Sequence, residues 1–188
     1  RTFRDPSAWY HLVFAFDTTQ ATSSNRIKIY VNGEQQTVVA KASYSGFPVL
    51  NGQYDINAKA IHSIGRRKTS TYYDGYQTEV NFIDGQALDP TNFGETGKLG
   101  EWLPKKYSGT YGTNGFYLEA LDSADLGKDT SGNGNNWTNN NVVQVTDTPT
   151  DNFATLNPLA SSATMKNGNL NIQGIDGWRG SVATVQFP

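Results

Sequence analysis

The chain has 188 residues, 36% of them hydrophobic and 12% aromatic, and a formal net charge of -2. That length carries one good domain, or one domain and part of another, and the near-neutral charge gives nucleic acid or an anionic membrane no electrostatic reason to bind. With no cysteine, disulfides, thiolate metal sites and thiol nucleophiles are excluded, and no apolar run reaches membrane-spanning length.

The 19 glycines, with abundant Thr, Ser and Asn, favour an all-β protein with many turns. Residues 9 to 17 are apolar on both faces: Tyr10, Leu12, Phe14 and Phe16 on one, Trp9, His11, Val13 and Ala15 on the other. That pattern predicts a central strand covered on each side. Residues 18 to 25 form a polar loop. Arg26 to Val31 alternates with Ile27, Ile29 and Val31 inward, and Asn32-Gly33 predicts a tight hairpin returning over Glu34 to Val39. Residues 40 to 60 are irregular. Ile61 to Gly65 reads as a short strand and Arg66 to Thr71 as a charged loop. Tyr76 to Ile83 alternates, with Tyr76, Thr78, Val80 and Phe82 on one face, and Asp84-Gly85 makes a turn. Asp89-Pro90 predicts a helical turn with Asp as its cap. Lys98 to Thr113 is a long excursion, followed by a strand at 116 to 121.

Asp129-Thr-Ser-Gly-Asn-Gly-Asn-Asn-Trp137-Thr-Asn-Asn140 is too rich in small and amide residues for a helix or regular strand. Gly supplies positive φ, and Asn and Asp side chains fold back on the backbone, so a specified tight loop is expected. Val142 to Val145 reads as one more strand. Residues 146 to 168 lack periodicity and read as a linker. Asn169 to Ile175 and Ser181 to Phe187 alternate again, as opening strands of a following β domain or as a docking arm. Without an initiator Met, the chain reads as a piece of something longer.

Catalytic signatures are sparse. Glycosidases of β-sandwich type need two carboxylates projecting toward one sugar, whereas Glu79 and Glu119 stand apart in sequence and read as solvent-facing. His11 lies in a core strand, and His62 lies in a short strand that can face either way. Gly109 to Gly115 lacks the Lys-Ser/Thr of a phosphate loop and reads as a turn or an aromatic display loop. No catalytic residue is assigned, and a non-enzymatic role is expected.

Two binding chemistries stay open. Asp129, Ser131, Asn133 and Asn135, with Gly134, match the first half of an oxygen-rich calcium loop. The position for a bidentate Glu holds Asn140, so calcium is weighed against a self-hydrogen-bonded turn. Carbohydrate sites pair an exposed aromatic with amides and acids. The candidates are Tyr72, Tyr73, Trp102, Tyr107, Tyr111 and Trp137, each weighed against a role plugging the end of the core.

The order of several segments along the chain carries a resemblance. Trp9 to Asp17, then Ile27 to Gly33 with Tyr30-Val31-Asn32-Gly33, resembles the middle of laminin-G-like domains, which belong to the concanavalin A-like jelly rolls. Ile64-Gly65-Arg66 followed by Tyr73 to Val80 looks like that family's later strand pair. Phe82 to Pro90, Lys105 to Phe116 and the Asp129 to Trp137 loop resemble tail and fibre proteins of bacteriophages. The resemblance covers roughly residues 3 to 140. It implies an antiparallel jelly-roll sandwich over 1 to 145, its first strands missing, and a SPRY-type sandwich opening at 169 to 188. It also implies a lectin-like adhesion or assembly module of an extracellular virion appendage. The expected partners are a carbohydrate or host-surface receptor, or other chains of the assembly, as a homo-oligomer included. A secreted or cell-surface bacterial adhesin and a glycoside hydrolase are the alternatives.

Overall fold

The computed structural model describes residues 8–37, 46–67, 71–150, 156, 163–166 and 170–173. Within them the protein is all-β, built from antiparallel strand pairs. Its helical residues are two single 3-10 turns, Ser23–Asn25 and Pro90–Asn92.

The first sheet is a meander. Strand β1 (Leu12–Phe16) pairs with β2 (Ile27–Val31), which pairs with β3 (Glu34–Gln36). Asn32 and Gly33, at φ 49 and 80, turn the β2–β3 corner. Positive φ at both positions matches the right-handed strand twist, and Asn and Gly tolerate it best. The Asn32 side chain also accepts the His11 N–H at 2.8 Å, while its own N–H donates to the His11 carbonyl at 2.9 Å. Arg26 holds the preceding loop by donating to the carbonyls of Gln20, Ala21 and Pro48.

β1 departs from the sequence expectation. It is an edge strand among the described residues, and β2 is the central one. Leu12 and Phe14 are 45% and 63% exposed, although Phe16 packs edge-on against Tyr54. Apolar residues on both faces show that a strand can be covered twice, not that a layer is there to cover it. Of the return strand, 34 to 36 forms as expected; residues 38 and 39 lie outside the described residues.

Ile61 to Gly65 forms no strand, and Ile61 is 94% exposed. Gly65 takes φ +72, which breaks the extended path. Pairing begins one residue later, where β4 (Arg66–Arg67) meets β5 (Thr71–Tyr72) in the stretch expected to be a charged loop. Strand β6 is shorter than its alternation and covers only Val80–Phe82, because Glu79 sits at φ 54. Asp89 caps Pro90–Asn92 as expected, its side chain accepting the Thr91 N–H. A hairpin, β7 (Gly94–Thr96) against β8 (Trp102–Pro104), spans the start of the long excursion, with only β8 inside it.

β6 pairs with β9 (Phe116–Leu118) across more than thirty intervening residues, Asn81 opposite Tyr117 and Phe82 opposite Phe116. Behind this pair lies the buried cluster of the described residues, Tyr107, Tyr111 and Tyr117, backed by Ile83, Leu88 and Phe93. Val142 to Val145 forms no strand, and Val143 is 80% exposed. β-branched residues favour extension, but a strand needs a pairing partner. β10 (Met165–Lys166), inside the expected linker, pairs with β11 (Asn171–Ile172). Residues 174 to 188, including the expected strand at Ser181 to Phe187, lie outside the described residues.

Candidate functional site

The structure separates the six candidate aromatics by burial. Tyr107 and Tyr111 are buried at 9% exposure each, so neither is a display platform. Their rings meet edge to face at 5.2 Å, and Tyr111 donates its hydroxyl to Asn81 Oδ1 at 2.9 Å. Burial, then the neighbouring Tyr107 and the acids around it, pushes the Tyr111 hydroxyl up to about 12. Gly109 to Gly115 is therefore a turn that drives a tyrosine inward.

Trp102 is also structural. Its indole N–H donates to His11 Nδ1 at 2.9 Å, tying β8 to the residue before β1. The ring lies over the backbones of Gly33 and Gly94, and a Cβ at Gly94 would stand 2.5 Å from the indole nitrogen. Both glycines are needed for that close approach. His11 is held neutral, its pKa lowered by burial, which suits a ring nitrogen that must accept. Trp137 is half-buried, its ring 5.0 Å from Phe116 and its backbone N–H donating to the Gly127 carbonyl at 2.8 Å.

The Asp129 loop is organised around one carboxylate, itself 8% exposed. Its Oδ1 accepts the backbone N–H groups of Tyr117 and Ser131, each at 2.9 Å, and Oδ2 accepts that of Asn135 at 2.8 Å. Asn133 donates its amide to the carbonyls of Gly112 and Gly115, and Asn135 donates to those of Thr113 and Gly115. Burial alone would raise the Asp129 carboxyl, but the Tyr117 N–H, the Ser131 hydroxyl and the N–H groups of Ser131 and Asn135 together outweigh it and hold the pKa low.

Asp129, Ser131, Asn133 and Asn135 are thus brought together, but as a self-bonded turn that clamps β9. Oδ1 spends both lone pairs on N–H groups, and the amides turn nitrogen toward the chain. That donor set does not fit a bidentate calcium carboxylate. Among the described residues no group of three acidic or histidine side chains gathers as a metal-ligand set.

Glu79 and Glu119, read as solvent-facing, are engaged instead. Glu79 accepts the Tyr117 hydroxyl, and Glu119 pairs with Lys106 Nζ at 2.6 Å. The Glu119 carboxyl is lowered first by the Lys106 hydrogen bond, while burial and then Glu79 push Tyr117 well above the ordinary tyrosine range. Tyr117 is 2% exposed, so this cluster locks β6 to β9 and presents no open reactive group.

Tyr72 and Tyr73 remain outward, at 68% and 57% exposure. In the β4–β5 ladder Arg66 stands opposite Tyr72 and Arg67 opposite Thr71, and the Tyr73 N–H extends the pairing to the Gly65 carbonyl at 2.8 Å. Directly opposed residues share a face and successive ones alternate. Arg66 therefore sits beside Tyr72, and Arg67 lies on the Tyr73 face. The sequence by itself points to the tyrosines and not to the arginines. Two adjacent arginines, Arg66 and Arg67, shortly before two adjacent tyrosines, Tyr72 and Tyr73, are the signal the sequence offers for this pairing.

No helix among the described residues is long and apolar enough to cross a membrane. No protein-family profile matches the chain, and neither a curated protein nor a solved structure is similar enough to count as a match.

Proposed function

We propose that this chain is a non-catalytic recognition module of a surface assembly, binding carbohydrate through the exposed tyrosines of the β4–β5 ribbon. The observation that carries this reading is the fate of the six candidates. Four are half-buried or buried and engaged in packing, while Tyr72 and Tyr73 keep more than half of their surface exposed. A phenol ring at such a position offers a flat apolar face to sugar C–H groups and a hydroxyl at its rim. The antiparallel meander, its Asn-Gly corner and the long-range β6–β9 pairing support a concanavalin A-like, laminin-G-like jelly roll as the parent fold. With the resemblance, they support a place in a virion appendage such as a tail fibre. A glycan array probed with the chain and with Tyr72→Ala/Tyr73→Ala tests the reading. Selective binding that this variant abolishes, with folding intact, supports it. Binding unchanged in the variant, or no binding by the folded chain, sinks it.

A second reading is supported by Leu12 and Phe14, which lie exposed on the edge strand of the first sheet. Such a strand in a multichain fibre packs against other chains of the assembly. Sedimentation across a concentration series tests it: self-association lost in Phe14→Lys is expected, and a monomer at every concentration excludes the homo-oligomer.

A further inference from the structure

We propose that the β4–β5 ribbon selects an acidic polysaccharide, a polymer bearing carboxylate or sulfate groups, with Arg66 and Tyr72 acting as one recognition pair. This deepens the carbohydrate reading above and rests on it. Among the described residues the ribbon carries two cations, Arg66 and Arg67, and the segment that follows it one acid, Asp74, in a chain whose net charge is -2. Positive charge is therefore concentrated at the ribbon against the sign of the whole molecule.

The geometry adds chemistry to that charge. Arg66 and Tyr72 are directly opposed and both exposed, so a guanidinium stands beside an aromatic face. The ring packs on the C–H face of a sugar while the planar fork of N–H groups takes the acid group of that sugar or its neighbour. Arg66 donates to Ser63 Oγ at 3.1 Å, which orients it without neutralising it. Neither arginine makes an ion pair among the described residues, so no internal carboxylate there must be displaced. Arg67 extends the positive surface to the other face of the ribbon. A single-stranded nucleic acid also combines charge with stacking, but it needs successive rings along one basic groove. Here the two tyrosines point to opposite faces.

Binding of the chain to four immobilised polymers decides the matter: polygalacturonate, dextran sulfate, neutral dextran and oligothymidylate, each at low and high salt. At least one acidic polysaccharide should bind about tenfold or more tightly than dextran and weaken steeply with salt. Arg66→Gln/Arg67→Gln should reduce that affinity about tenfold, to the dextran level, and Tyr72→Ala should weaken binding to the acidic polymer and to dextran alike. All three positions are exposed, so near-ultraviolet circular dichroism should match the parent chain. The salt dependence of the parent chain is a second readout that needs no variant. Equal affinity for dextran and the acidic polymers, with Tyr72→Ala still weakening both, overturns the acid preference and leaves the carbohydrate reading standing. Tighter binding to oligothymidylate than to either acidic polysaccharide overturns the proposal in favour of nucleic acid. No polysaccharide binding at all overturns the proposal and the carbohydrate reading together.

Discussion

The first sheet and the β6–β9 region have similar apolar alternation, yet they are stabilised differently. In β1 and β2 the side chains are aliphatic or phenylalanine apart from Lys28 and Tyr30, and only Val31 is buried while Leu12 and Phe14 face out. Around β6–β9 the buried side chains are mostly tyrosines, and hydroxyls of two of them reach Asn81 and Glu79. The Asp129 loop closes that region by satisfying three backbone N–H groups with one carboxylate. Alternation brings a strand into being, but a closed core here depends on polar partners that reach in from loops. A buried hydroxyl or N–H without a partner is costly, so the β6–β9 region has one arrangement that satisfies it. The open sheet face carries no such constraint.

The largest break of this contrast should come from Asp129→Ala. It strips three N–H groups of their acceptor and should cost about 3–5 kcal/mol of stability by urea denaturation. Asp129→Asn, which keeps one acceptor oxygen, should cost less. Equal stability of Asp129→Ala and the parent would show that the loop does not organise β9. Next in size, Trp102→Ala removes the half-buried ring that ties β8 to His11, an expected loss of about 2–3 kcal/mol. Thermal melts followed by tryptophan fluorescence would measure it, and a loss under about 0.5 kcal/mol would mean that the ring is dispensable.

Tyr117→Phe keeps the packing and deletes the hydroxyl given to Glu79. The expected cost is about 1–2 kcal/mol, and hydrogen exchange should speed up at β6 and β9 more than at β1 and β2. Uniform acceleration would erase the distinction between the two regions.

A subtler probe is pH. Burial depresses the His11 pKa below its ordinary 6.5. Below 6.5 the unfolded chain takes up a proton that the folded chain resists. Stability from this site is therefore full above that pH and is lost as pH falls through the folded pKa. Protonation also removes the acceptor used by Trp102. His11→Gln should flatten this step between neutral and mildly acid pH, leaving the steeper acid loss from carboxylates such as Asp129 and Glu119. An unchanged profile would place the titration elsewhere.

The smallest expected effect is at Phe14. Phe14→Ser should alter monomer stability by no more than about 0.5 kcal/mol, since the ring is already exposed. A large loss by calorimetry at low concentration would mean that the β1 face is covered after all.

Much of the local structure was legible in the sequence. Asn32-Gly33 specified its hairpin because few residue pairs accept positive φ twice in succession. Asp89-Pro90 specified a capped turn, and the Asn/Gly run specified a tight loop, because each rests on chemistry within a few residues. The all-β class followed from the same turn residues and alternation. Illegible were the lengths and partners of the strands. Positive φ at Glu79 shortened one expected strand and Gly65 ends a stretch where another does not form, while β8 forms inside a stretch that reads only as a loop. Among the candidate aromatics, residue type and neighbouring amides were alike for Tyr111 and Tyr73. Only tertiary structure buried the first beneath β9 and left the second on an exposed ribbon. Turn geometry is decided by bonds a few residues apart, but exposure is decided by what the rest of the chain lays against a side chain, and that is a property of the fold.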